Sequence, residues 1–380
     1  MVGVLIFCVL LGATIESIEE GADWTRIVGE KAYLTVRLNS SPQPRGKTIS
    51  AKGEVLAVDR QRCRGAITIY FRADSTAATL RYGDRLLMHG YPEPDRRSIY
   101  ITSDHYLTTA HDSTSLRAHC EEFRMRMLHR MQGGPLPARY AGIAEALTLG
   151  WRADIDKETQ SSFRDAGVAH LLAVSGLHVG LLAQIVGIFF FWAGRERKGR
   201  ILRGSAQLLT VWLFALLTGM APSTMRAALM FSFFIVSDIT GRRTPRLNLL
   251  AAAAIVTLVP SPTLLFDIGW QLSYSAVVGI LVARPVIMAY RSCLWRYAMV
   301  SLAATTATLP VTITTFHRFQ PWFLIANILV VPVAGALLFL SLLYMMWPGG
   351  ITAWPLELLL RIIEWVVTWV SSLPGAVVTI

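Results

Sequence analysis

Ser175 and His178, three positions apart within His170–Leu182 (HLLAVSGLHVGLL), are the residues whose types and spacing most directly suggest chemistry. Positions three apart on a helix share a face, so the hydroxyl and the imidazole can hydrogen-bond. A serine beside a histidine suggests a nucleophile and its base, and in an apolar run this would mean an intramembrane serine hydrolase. Such an enzyme also needs oxyanion donors and a group to orient the base, and the sequence identifies neither. A polar helix contact explains the pair without those additional groups and is the favoured reading of the two. Lipid cannot hydrogen-bond an imidazole or a hydroxyl, so these groups at membrane depth face a protein interior, a partner helix or a water-filled path. The expectation is that His170, Ser175 and His178 line a hydrated path, with His170 a turn or more away along the same helix.

Other polar residues stand in similar settings. Arg226, in Met220–Ala227 (MAPSTMRA), lies just inside an apolar segment, where it could snorkel to the interface or bind an anionic backbone. Asp267 and Gln271, in Phe266–Tyr274 (FDIGWQLSY), stand at a helix start; capping explains the acid and leaves Gln271 without a role. Asn327 could be helix glue or pore lining. Nearer the N-terminus, Arg60, Arg62 and Arg64 alternate along a strand edge, followed by Tyr70, Phe71 and Arg72. Cations with aromatic platforms suit single-stranded nucleic acid, and a solvated strand face is the alternative. No close His-x-His pair and no Cys-x-x-Cys occurs, so no metal site, cofactor or catalytic group is assigned. Cys63 and Cys120 could pair as a disulfide if the fold brings them together.

The elements that must position these residues are of two kinds. The chain has 380 residues, 53% of them apolar and 16% charged, with mean hydropathy +0.46 and net charge +11. That is more apolar surface than one soluble core requires, and the excess must meet lipid. Val2 to Ile15 is a short apolar segment, read as a signal-peptide core or part of a spanning helix; no basic region precedes it. From 16 to about 110 the pattern alternates, with strands expected at 32–38, 48–58, 66–71, 85–90 and 99–102. Ser40-Ser41-Pro42, Tyr82-Gly83-Asp84 and Pro92-Glu93-Pro94 supply turn signals, and a small five-stranded barrel fits.

Residues 111–167 read as connecting helices. Leu116, Cys120, Phe123, Met127, Leu128 and Met131 recur at helical spacing, giving an amphipathic helix that lies in the membrane interface or packs on the barrel. Two more polar-sided helices are expected at 139–151 and 156–165. From 168 to 380 the spanning candidates are 168–194, 201–220, 225–240, 247–259, 270–290, 297–315, 321–347 and 353–373, with Pro260-Ser261-Pro262, Pro285 and Pro310 interrupting the backbone. Basic loops at 195–203, 241–246 and Arg291 with Arg296 alternate with the uncharged 220–224, which places them in the cytoplasm and the barrel outside. A small-molecule transporter would show an inverted repeat, and none is visible.

His170–Gly180 (HLLAVSGLHVG), Ser223–Met230 (STMRAALM), Asp267–Ser273 (DIGWQLS) and Asn327–Pro332 (NILVVP), in this order, resemble the ComEC-type competence proteins. The resemblance covers about 140–373, and residues 30–105 resemble that family's exported OB-like domain. It implies a polytopic α-helical protein of the bacterial inner membrane with an extracytoplasmic small β-barrel. It implies a channel passing one DNA strand into the cytoplasm, with His170, Ser175, His178, Arg226, Asp267, Gln271 and Asn327 along the path. Single-stranded DNA and membrane lipids are the implied partners, with a separate nuclease, a DNA receptor and a cytoplasmic translocation ATPase beside them. Many such proteins carry a metallo-β-lactamase-like domain with a His-x-His-x-Asp-His motif. Ile380 ends this sequence without it, so either the sequence is a fragment or another protein degrades the second strand.

Overall fold

The computed structural model describes residues 24–379 apart from 28–30, 46–47, 73–76, 78, 94–96, 103–104, 111–114, 195 and 242–243; Val2 to Ile15 lies outside the described residues. The described residues divide into two compact units, one up to Phe123 and one from Arg124 onward.

The first unit is a sheet. Its strands are β1 Ala32–Leu38, β2 Gln43–Arg45, β3 Thr48–Val58, β4 Gln61–Arg72, β5 Arg85–Gly90, β6 Pro92–Glu93, β7 Ser98–Ile101 and β8 Tyr106–Ala110. They are hydrogen-bonded in the order β6-β7-β4-β3-β1-β5-β8, with β2 beside β3. All five expected strands are present, and β2, β6 and β8 are additional. The short stretch Pro92–Glu93, read from sequence as a turn, pairs with β7 instead. Among the described residues the ladder does not close into a barrel, because β6 and β8 remain its two edges. Ile99 packs over Gly90, so β5 and β7 meet through side chains and not through ladder bonds.

Alternation sorts this sheet. Leu34, Val36, Leu38, Val55, Ile69, Phe71, Leu86 and Met88 are fully buried on one face, as a period of two requires. Gly53 is needed here, since a Cβ would stand 2.5 Å from Val36 Cγ1. The β3–β4 hairpin turns through Asp59 and Arg60, both at positive φ (45° and 72°), as a two-residue turn between twisted strands demands.

The second unit is helical. Helix α1 (Leu116–Gln132) crosses the boundary between the units, and then come α2 (Ala138–Leu149), α3 (Lys157–Asp165), α4 (Gly176–Phe189), α5 (Arg197–Leu217), α6 (Pro222–Thr240), α7 (Arg246–Leu258), α8 (Ile268–Ala289), α9 (Cys293–Phe316), α10 (Phe323–Met346) and α11 (Gly350–Ser371). Helices α5, α8, α9 and α10 are long and apolar enough to cross a membrane; α4 and α7 are apolar but shorter. At 1.5 Å per residue a helix needs about 20 residues to span ~30 Å of hydrocarbon.

Several expectations are corrected. The run 168–194 is not one helix: a 3₁₀ turn at Ala169–Leu171 precedes α4 and another at Phe191–Ala193 follows it. Pro285 and Pro310 do not interrupt the chain, because α8 and α9 continue through them; Pro260 and Pro262 do separate α7 from α8. Helix α2 is not polar-sided, since Ala141 through Leu149 are all buried. It shares a core with Leu128 and Met131 of α1 and with α10 and α11, so this part of α1 lies against helices. Phe123 and Leu116, placed on the same apolar face by spacing, are exposed. Small residues set the closest helix contacts, as membrane helices require: a Cβ at Gly279 of α8 would lie 2.6 Å from the Ala303 carbonyl of α9.

Candidate functional site

Three of the four motif segments converge where α4, α6 and α8 begin. Ser223 Oγ donates to the Val174 carbonyl at 2.8 Å, which ties the start of α6 to the loop before α4. Gly176 lies against Ala227, a Cβ there standing 3.6 Å from the alanine methyl. Asp267 caps α8, its Oδ1 accepting the Trp270 N–H at 2.7 Å, which satisfies one of the free donors of the first turn.

Arg226 reaches across this junction. Its Nη1 lies 3.7 Å from Asp267 Oδ1, and its Nη2 donates to Ser273 Oγ at 3.2 Å. Gly269 leaves room for the guanidinium; any Cβ there would be 3.2 Å from Nη2. Arg226 is only 8% exposed, its guanidinium engaged by partners within the helical unit. Its Nε is buried without a hydrogen-bond partner among the described residues. A guanidinium has five N–H donors, and the contacts named engage only part of them. The guanidinium thus keeps unused donor capacity, and Asp267, itself exposed, offsets part of its charge.

Ser175 is the N-cap of α4, not a residue within it. Its backbone N–H donates to His178 Nδ1 at 3.2 Å, and its Oγ lies 3.1 Å from the same nitrogen. A backbone N–H can only donate, so Nδ1 is an acceptor and a neutral ring carries its proton on Nε2. Nε2 is buried without a partner among the described residues. A catalytic base would offer a lone pair to the serine alone and have its other nitrogen held by an orienting group. Here the lone pair is shared with a helix cap. The pair closes the first turn, which favours the polar-contact reading over the hydrolase.

His170 lies in the 3₁₀ turn before α4, so it is not along one helix with His178 as spacing suggested. Its side chain is exposed. Gln271 Nε2 donates to the Leu265 carbonyl at 2.9 Å, which supplies the role missing from sequence. Asn327 Nδ2 donates to Ser301 Oγ at 2.8 Å and joins α10 to α9. Ser273 and Ser301 were missed as partners. Serines among apolar residues carry little signal until the facing helix is known.

On the sheet, Cys63, Ile67, Ile69 and Phe71 of β4 point inward, and Arg62, Arg64, Tyr70 and Arg72 alternate with them on the outer face. Arg60 does not continue this row, because it occupies the hairpin turn. Tyr70 stacks on Tyr100 across the β4–β7 pair with ring centroids 4.8 Å apart. Tyr33 stacks on His89 across β1–β5 at 4.3 Å. Tyr33 and Tyr100 are well exposed. Their signal was an aromatic at an outward position of an alternating strand. Cys63 and Cys120 are both buried thiols in this structure and not partners in a disulfide. Burial, and then the neighbouring Glu121, raises the Cys120 thiol above its ordinary range.

Residues 147–380, more than half the chain, match the family described as Competence protein. The chain belongs to this family. The chain is 32% identical over 222 residues to ComE operon protein 3 of Bacillus subtilis, covering 57% of this chain and 27% of that protein. It is 29% identical over 143 residues to Recombination protein 2 of Haemophilus influenzae, covering 36% and 18%. It is 28% identical over 152 residues to Competence protein ComA of Neisseria gonorrhoeae, covering 37% and 21%. The matched stretch thus spans less than a third of each relative. No solved structure matches. In this competence protein the family match takes in the whole α4–α6–α8 junction, from Ser175 to Ser273.

Proposed function

We propose that this competence protein forms the membrane part of a channel that passes single-stranded DNA into the cytoplasm during natural transformation. The observation that carries this reading is Arg226, a guanidinium inside the helical unit with a donor left over and a carboxylate to moderate it. A path for a polyanion must neutralise phosphate without trapping it, and one partly offset cation meets both needs. His170 and Asp267 offer open polar surface, while Ser175, His178, Gln271 and Asn327 hold the wall together. The basic segments 195–203 and 241–246 support a cytoplasmic position for these loops and an extracytoplasmic one for the sheet unit. The outer face of that unit, with Arg62, Arg64, Arg72 and the Tyr70–Tyr100 stack, receives the strand. A DNA receptor, a nuclease and a translocation ATPase complete the pathway as separate partners.

Transformation frequency at matched membrane abundance tests the reading. Arg226→Gln removes a charge-assisted contact, and uptake should fall on the order of tenfold to a hundredfold. Ser175→Ala should leave much of it, whereas a hydrolase would lose its turnover entirely. Normal uptake with Arg226→Gln at normal abundance would move the path elsewhere.

A further inference from the structure

A second polar site lies at the opposite ends of the helices. A cleft of about 320 Å³ opens between α4, α5 and α6, with Gln184, Arg200, Arg203, Gln207 and Asp238 among its lining residues and Gly187 and Gly204 in its walls. That volume is in the range of small-molecule sites, a few hundred Å³. The arginines sit in the first two turns of α5 together with Arg197 and Lys198. Cations at a helix N-terminus oppose the positive end of its dipole, and an anion there is favoured instead. Among the described residues neither Arg200 nor Arg203 forms an ion pair, and Arg200 Nε is buried with no hydrogen-bond partner there. Asp238 supplies one negative charge, and it stands 3.9 Å from Arg246. The guanidinium of Arg200 lies beside Gly241, where α6 ends.

The surroundings select the ligand. Ile188 and Ile239 line the same cleft. Phe189, Phe191 and Trp192, at the turn from α4 into α5, are all largely exposed. Aromatic side chains without protein cover, beside a basic cluster and at the end of an apolar helix, mark the headgroup level of a membrane. Basic pockets between helices on the cytoplasmic side take anionic headgroups. We propose that this cleft binds the phosphate of an anionic membrane lipid, with Arg200 and Arg203 at the phosphate and the acyl chains along Ile188 and Ile239. The proposal rests on the membrane placement given above and not on DNA passage.

Native mass spectrometry of the full chain in neutral detergent tests it, with dioleoylphosphatidylglycerol and dioleoylphosphatidylcholine as probes. Phosphatidylglycerol should be retained on the order of tenfold better than phosphatidylcholine. The paired substitution Arg200→Gln/Arg203→Gln should lose most of that preference, while Arg197→Gln/Lys198→Gln, outside the cleft lining, keeps it. Gly187→Leu fills the cleft without changing charge and should lower retention too, so the test survives if the arginine pair proves unstable. Equal retention by wild type and both cleft variants would overturn the proposal. So would displacement of the retained lipid by millimolar inorganic phosphate, or by a short oligonucleotide. Since no DNA enters the main measurement, its failure leaves the channel reading untouched, and failure of uptake by Arg226→Gln leaves the cleft untouched.

Discussion

The two units of this protein use the same residue types in opposite ways. In the sheet unit, Arg62, Arg64 and Arg72 project from β4 into solvent and the apolar side chains of the same strand fill the core. In the helical unit, Arg226 is buried, Glu145 is 1% exposed, and Phe189, Phe191 and Trp192 lie on the outside. The difference follows from the solvent. Water rewards charge at the surface of the sheet, whereas lipid rewards apolar surface and pushes each polar group toward an internal partner. Arg62, Arg64 and Arg72 therefore present their charge to water, whereas the buried Arg226 is committed to a specific constellation.

The largest expected effect breaks this contrast at Glu145. Its carboxyl is buried in α2 facing Asp154, whose Oδ2 already accepts the Trp151 indole at 2.7 Å and the Gln132 amide at 3.1 Å. Burial, and then the Asp154 charge, push Glu145 up to about 8 from the ordinary 4.5. The folded state therefore binds a proton that the unfolded state releases between those values. Its contribution is complete below pH 4.5 and is lost as pH rises through about 8. Glu145→Gln should remove this fall, worth on the order of a few kcal/mol across the window. Thermal unfolding in detergent from pH 5 to 8.5 measures it, and an unchanged slope in the variant would assign the pH dependence elsewhere.

A smaller effect sharpens the contrast on the sheet. Replacing Tyr70 and Tyr100 by alanine should weaken binding of a short single strand by about 1–3 kcal/mol per stacked base. Replacing Arg62 and Arg64 by glutamine should mainly flatten the dependence of affinity on salt. Fluorescence titration at two ionic strengths separates these outcomes, and identical salt slopes would remove the arginines from the interface.

The smallest concerns Asn327. Its bond to Ser301 joins α10 to α9, and membrane hydrogen bonds of this kind contribute about 0.6–1.7 kcal/mol. Asn327→Ala and Ser301→Ala should each lower stability by that amount, and the double variant should lose little more. Additive losses would show that the two side chains act separately.

Much of this was legible in the chain. The period of two in 32–38, 48–58 and 85–90 specifies strands because one face must be dry, and the long apolar runs specify helices because lipid satisfies no backbone group. Breaks were harder. Ser175 reads as a helical residue by spacing, yet it caps α4, because the loop from Leu172 to Ser175 is fastened by Ser223 from a helix nearly fifty residues away. Conversely, Pro285 and Pro310 read as breaks and lie within continuous helices, since a neighbouring helix can shelter the carbonyls that proline frees.

What the sequence by itself determined is composition and period: an alternating unit, a run of apolar helices, polar residues in lipid-length segments, and four motifs in family order. Only tertiary structure decided which of those polar residues meet. Arg226 acquires Asp267 and Ser273 as partners because α6 and α8 begin at one place, 41 to 47 residues apart in the chain. Tyr70 acquires Tyr100 because β4 and β7 pair in parallel. Local propensity acts over a few residues, whereas an ion pair or a stacked ring needs a position fixed to within a few ångströms. That position is set by the packing of the whole unit.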